Sequence, residues 1–97
     1  MKFNRETLEV VHNQSAKRFE LNIGEYYSVL DYRLQGKTIA FTHTGVPAAL
    51  EGNGIGSYIV RAGLEYAREQ GYKVIPLCSF VGAYIRRHPE YEILLNN

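Results

Sequence analysis

A single cysteine, Cys78, excludes an internal disulfide framework. Neither sign of charge dominates: 11 lysines and arginines stand against 10 aspartates and glutamates, a net charge of +1. That balance gives no general pull toward nucleic acid or an anionic membrane surface. No apolar run approaches the length of a membrane span, and Met1-Lys2-Phe3-Asn4-Arg5 leads into no signal-peptide core. His, Cys, Asp and Glu do not cluster at metal-ligand spacing, so no metal is expected. Internal repeats, low-complexity tracts and linkers are missing too. With its lone thiol the chain reads as cytoplasmic. What remains is 97 residues with 45% hydrophobic and 12% aromatic content, enough for one folded domain over residues 1–97.

The stretch Leu50-Glu51-Gly52-Asn53-Gly54-Ile55-Gly56-Ser57 carries the strongest local signal. A strand is expected before it, over Thr38 to Val46, and an amphipathic helix after it, from Ser57 to Gln70. Glycines let the backbone adopt positive φ and approach a ligand closely. The first N–H groups of the helix point the same way, and the helix dipole adds positive potential. Such a cradle suits a pyrophosphate, although G-x-G also occurs in connections that bind nothing. Two nucleotide motifs are excluded. A Walker loop needs lysine after the last glycine, and Ile55-Gly56-Ser57 has none. A Rossmann turn needs an acid at the end of the next strand, and Tyr72-Lys73-Val74-Ile75-Pro76 ends without one.

In chain order, Leu8 to His12 alternates loosely as a short strand. Arg18 to Ile23 alternates strictly, with Phe19, Leu21 and Ile23 on one face. Tyr26 to Leu34 is a third strand, and Gln35-Gly36-Lys37 closes a hairpin onto the fourth. On that fourth strand alternation groups Ile39, Phe41 and His43, and sets Thr38, Ala40, Thr42, Thr44 and Val46 on the other side. The period then changes to helical: Ile55, Ile59, Val60, Gly63, Leu64, Tyr66 and Ala67 form an apolar stripe. Gly71 suits a helix end, Tyr72 to Leu77 a fifth strand parallel to the fourth, and Phe80 to Arg87 a second helix capped by Ser79. Glu90 to Leu95 can add a last strand. The fold class is α+β, of mixed α/β character: an antiparallel β-meander followed by a βαβα unit.

Val46-Pro47 followed by Leu50 to Ser57 resembles the acetyl-CoA signature of the GNAT superfamily of N-acetyltransferases, Q/R-x-x-G-x-G/A. Residues 51–56 fit its common form R-G-x-G-I-G, with Glu51 in place of arginine. His43-Thr44-Gly45-Val46-Pro47 and Pro76-Leu77-Cys78-Ser79-Phe80 resemble a short, single-domain GNAT-like subgroup. The similarity covers about residues 8–95 and implies a truncated GNAT-like fold. It implies that acetyl-CoA lies where the fourth and fifth strands splay. Leu50, Glu51, Gly52, Asn53, Gly54, Ile55, Gly56 and Ser57 would hold its phosphates, and Thr44, Gly45 and Val46 would pair with pantetheine. The acceptor would be an amine, of a protein lysine or N-terminus for example. Full-length members carry two helices between the first two strands, which shape the acceptor site. Here about Asn13 to Lys17 spans that gap, so a non-catalytic CoA-binding or interaction module is the alternative.

Three residues are candidates for chemistry. Cys78 stands where a strand gives way to a helix start, which favours thiolate. It reads either as an acyl-carrying nucleophile or as a small buried hydrophobe. His43 reads as a general base or as a structural histidine. Tyr84 lies near the place where the family sets a tyrosine that protonates the departing thiolate, and reads otherwise as a core aromatic.

Overall fold

The computed structural model describes residues 8–50, 52 and 54–95. Strands β1 (Val10–Asn13), β2 (Arg18–Ile23), β3 (Tyr26–Gln35), β4 (Thr38–Gly45) and β5 (Lys73–Pro76) form one sheet in the order β1-β2-β3-β4-β5. The first four strands pair antiparallel as a meander. Helix α1 (Ile55–Gln70) then crosses over and sets β5 parallel to β4. Helix α2 (Ser79–Arg87) and a 3-10 segment, Pro89–Leu94, complete the described chain.

Alternation dictates which face is covered. Phe19, Leu21, Leu30, Tyr32, Ile39, Phe41 and Val74 point to one side and are buried there. Each such side chain removed from water contributes about 1.5–3 kcal/mol. The apolar stripe of α1 answers them with Ile55, Ile59, Val60, Leu64 and Ala67. Gly63 sets how closely the helix docks: a Cβ there would stand 2.6 Å from Leu30 Cδ2 and 3.0 Å from Phe41 Cε1. The other face of the sheet is polar around β1–β3, with Arg18 bound to Asp31 at 3.0 Å and Asn13 donating to Glu20 at 3.0 Å.

Four details differ from the expectations. The first strand begins two residues later than Leu8, at Val10. Helix α1 begins at Ile55 rather than Ser57, because Gly54 in the left-handed region already turns the chain into the helix. Cys78, not Ser79, is the N-cap of α2; Ser79 is its first helical residue, and no side chain caps that end. Glu90 to Leu95 is not a strand. Pro89 starts a 3-10 segment with Glu90 and Glu92 in its first turn, and Tyr91 and Leu94, three apart, bury one side of it. Strand character is reduced to a single parallel bridge between Leu95 and Val74.

Candidate functional site

The site begins with an irregularity in β4. Asp31 pairs with His43 but Tyr32 pairs with Phe41, so Thr42 is an extra residue, a β-bulge. Beyond it the alternation reverses. Thr44, opposite Leu30, turns to the helix-covered face, and His43 is exposed on the other face. The expected grouping of His43 with Ile39 and Phe41 is therefore corrected by one inserted residue. At the same level β5 leaves the sheet. Its ladder with β4 ends at Phe41 and Pro76, and the Cys78 N–H donates to Phe41 O at 2.9 Å as the chain turns into α2. The ends of β4 and β5 thus diverge.

After β4 the chain passes Val46-Pro47 and a 3-10 turn, Ala48–Leu50, whose Leu50 N–H donates to Pro47 O at 2.9 Å. Gly52 and Gly54 follow with φ of +82° and +77°, values that other residues adopt only with strain. They deliver the chain to the start of α1, where Gly54 has no side-chain cap and no acid stands in the first turn. First-turn N–H groups have no acceptor inside a helix. Here they meet a cleft of about 510 Å³ lined by Thr44, Val46 and Leu50, by Gly52, Gly54, Ile55, Gly56 and Ser57, and by Phe80 and Arg87 of α2. Gly56 is needed for this packing, since a Cβ would come within 2.6 Å of Phe80 Cζ.

Behind Thr44 lies Cys78, half-buried, with Sγ 3.3 Å from Thr44 Oγ1. Burial pushes the thiol pKa up, but the hydrogen bond with the Thr44 hydroxyl and the nearby backbone N–H groups of Val81, Phe80 and Thr44 outweigh it. The net result is a thiol below its ordinary value. A lowered pKa favours the thiolate, the form of cysteine that attacks a thioester.

The structure gathers Thr44, Val46, Leu50, Gly52, Gly54, Ile55, Gly56 and Ser57 around one cleft. Gly45 lies between them on β4, its Cα close to the His43 ring and Val29, where a Cβ would be 3.3 Å from each. Glu51 and Asn53 lie outside the described residues. Tyr84 is buried, with its ring stacked on His88 at 4.0 Å and tilted against Tyr91 at 6.0 Å, and is not on the cleft wall. Burial raises its phenol pKa, with Glu90 and Glu65 adding and Arg61 opposing. Phe80 and Arg87 were not among the expected site residues. Their common stripe on the helix after Cys78 was the signal in the sequence. Among the described residues, no three His, Cys, Asp or Glu side chains gather as a metal site, and no helix is long and apolar enough to cross a membrane.

Comparison with known proteins agrees with this architecture. The structure is similar to the solution NMR structure of a GCN5-like candidate N-acetyltransferase from Staphylococcus aureus, with a TM-score of 0.70 and 27% identity, covering 93% of this chain and 89% of that one. In sequence the chain is 27% identical over 86 residues to Protein NATD1 of Xenopus tropicalis, covering 86% of this chain and 79% of the relative. It is 28% identical over 85 residues to Protein NATD1 of Homo sapiens, covering 84% of this chain and 75% of the relative. Residues 18–94 match the family model of the GCN5-related N-acetyl-transferases, and the chain belongs to that family.

Proposed function

We propose that the chain transfers an acetyl group from acetyl-CoA to an amine, a protein lysine or N-terminus being the size of acceptor an open site admits. The observation that supports this is the continuity of the cleft: it runs from the glycine loop at the start of α1 to Thr44, which is hydrogen-bonded to Cys78. Its volume is within the usual range for small-molecule sites. The main-chain N–H groups at residues 54–57 would receive the pyrophosphate, and Thr44, Gly45 and Val46 would flank the pantetheine arm.

In the direct route the amine nitrogen bonds to the acetyl carbon and the thioester C–S bond breaks. The amine proton passes to His43 or to solvent. His43 is exposed on the sheet face away from the helices, so it serves an acceptor that arrives from that face. The departing thiolate takes a proton from water, since Tyr84, the other expected donor, is buried against His88 and Tyr91 and is not on the cleft wall. A main-chain N–H of β4 polarises the carbonyl. In the covalent route Cys78 Sγ first accepts the acetyl group with release of the coenzyme thiol, and the amine then attacks the Cys78 thioester. The single cysteine, with no disulfide partner in the chain, accords with a reducing, cytoplasmic setting.

One observation favours a second reading, a CoA-binding module without transfer. The β1–β2 connection is a tight turn closed by the Lys17 N–H on Gln14 O at 3.2 Å, with no helices to shape an acceptor pocket. Incubation with radiolabelled acetyl-CoA and a panel of amines and peptides separates the two. Label on the panel supports transfer. Label held on the protein, and lost in Cys78→Ala, marks the covalent route. Coenzyme binding with neither outcome supports the module.

A further inference from the structure

We infer that Arg87 supplies the cation for the coenzyme's phosphates that the glycine loop lacks. The inference rests on the acetyl-CoA reading above. The sequence from Leu50 to Ser57 holds no lysine or arginine and one acid, Glu51. The start of α1 offers main-chain N–H groups and a partial positive charge from the helix dipole. Those suffice to orient a phosphate but leave most of its charge uncompensated, since a helix terminus is equivalent to roughly half a unit charge.

Arg87 lines the same cleft as that loop. It shares a stripe of α2 with Phe80, whose ring packs over Gly56 at the helix start. Among the described residues it is the one cationic side chain on the cleft wall. It takes part in neither of the ion pairs they form, Arg18 with Asp31 and Arg68 with Glu65. A guanidinium offers paired N–H donors that match two phosphate oxygens at once. The bland account is that Arg87 merely complements the C-terminal end of the α2 dipole. Arg86 precedes it in the same last turn and serves that purpose equally, yet it is not on the cleft wall. The pair is therefore a built-in control.

The test is calorimetry on the whole chain with CoA, with dephospho-CoA and with pantetheine, which carries no phosphate. Arg87→Gln is expected to weaken CoA binding about tenfold, the equivalent of about 1.4 kcal/mol. Arg87→Lys should recover part of that loss, Arg86→Gln should leave affinity within about twofold, and pantetheine should bind both Arg87 variants as it binds the wild type. Where the loss disappears with dephospho-CoA, the arginine holds the 3′-phosphate; where it persists, the pyrophosphate. Either result supports the inference. Wild-type affinity for CoA in Arg87→Gln overturns it, as does an equal loss in Arg86→Gln or for pantetheine. A wild-type chain that binds no CoA at all overturns the acetyl-CoA reading along with it.

Discussion

The Thr44 hydroxyl and the Cys78 thiol, 34 residues apart in sequence, meet at 3.3 Å because of one extra residue in β4. Without the bulge at Thr42, strict alternation would send Thr44 to the face of the sheet that carries Arg18 and Asp31. With it, Thr44 faces inward beside Leu30, at the level where β5 has left the ladder and Cys78 opens α2. The same displacement turns His43 outward. One inserted residue thus decides what each of three candidate side chains can reach.

The thiol chemistry follows from that contact. Burial raises the Cys78 pKa, while the Thr44 hydroxyl and the N–H groups of Val81, Phe80 and Thr44 lower it further than burial raises it. Alkylation by iodoacetamide at pH 7 should be faster than for a model thiol and should slow when CoA is added. Thr44→Val removes the hydroxyl and keeps the shape. It should move the midpoint of the pH–alkylation profile upward, because the hydroxyl no longer stabilises the thiolate. An unchanged midpoint in that variant would leave the hydrogen bond without influence on the thiol.

Much of this was legible in the sequence, and the exceptions have physical causes. Strands β2, β3 and β5, helix α1 and the parallel return to β5 follow from period 2 giving way to period 3.6 around the glycine loop. The bulge was not legible, because Phe41-Thr42-His43-Thr44 alternates equally well in either register. Only packing of Phe41 under Gly63 and of Thr44 against Cys78 selects one. The last segment misled for a similar reason. Tyr91, Ile93 and Leu95 fit a strand, yet Tyr91 and Leu94 are the buried pair and Ile93 is 75% exposed. The residues around the glycine loop were readable because their spacing is local. Arg87 was less so: its only signal is the stripe it shares with Phe80, and a charge in the last turn of a helix reads first as a solvated residue.

Gly54 offers a test of the cradle itself. Its φ of +77° lies where a β-branched residue pays for the left-handed region, about 1–2 kcal/mol. A side chain would also stand beside the first-turn N–H groups. Gly54→Val should reduce CoA affinity by at least tenfold while circular dichroism stays native. Equal affinity measured by calorimetry would remove the loop from the binding argument.

Gly63→Ala sets two effects against each other. Alanine favours a helix interior over glycine by about 1 kcal/mol. Its methyl, however, would lie 2.6 Å from Leu30 Cδ2 and 3.0 Å from Phe41 Cε1, and both residues are fully buried with nowhere to retreat. Overpacking of this kind costs about 1–3 kcal/mol. The cost should win, and the melting temperature should fall by several degrees, at roughly 4–8 °C per kcal/mol for a chain of this size. A rise instead would mean that α1 can lift off β3 and β4 at little expense.

His12 makes stability depend on pH. Its ring stacks on Phe19 at 4.2 Å, meets the edge of Tyr66 at 4.4 Å, and places Nε2 2.6 Å from the Tyr32 hydroxyl. Burial lowers the imidazole pKa, and Lys17 adds to the effect. Burial, with Tyr66 and Tyr72 nearby, raises the Tyr32 phenol pKa, so Tyr32 keeps its proton and donates it to a neutral Nε2. The folded state therefore binds fewer protons here than the unfolded state as pH falls through about 6.5, the ordinary histidine value. Unfolding takes up a proton in that window, so stability rises with pH. The contribution is complete above the unfolded pKa and is lost as pH drops toward and below the folded one. Thermal melts of the wild type should thus fall between about pH 7 and pH 5. His12→Gln, which can still accept from Tyr32 but does not titrate, should flatten that part of the curve while lowering stability at pH 7 through poorer stacking on Phe19. Parallel curves for the two proteins would show that His12 takes up its proton without disturbing the fold.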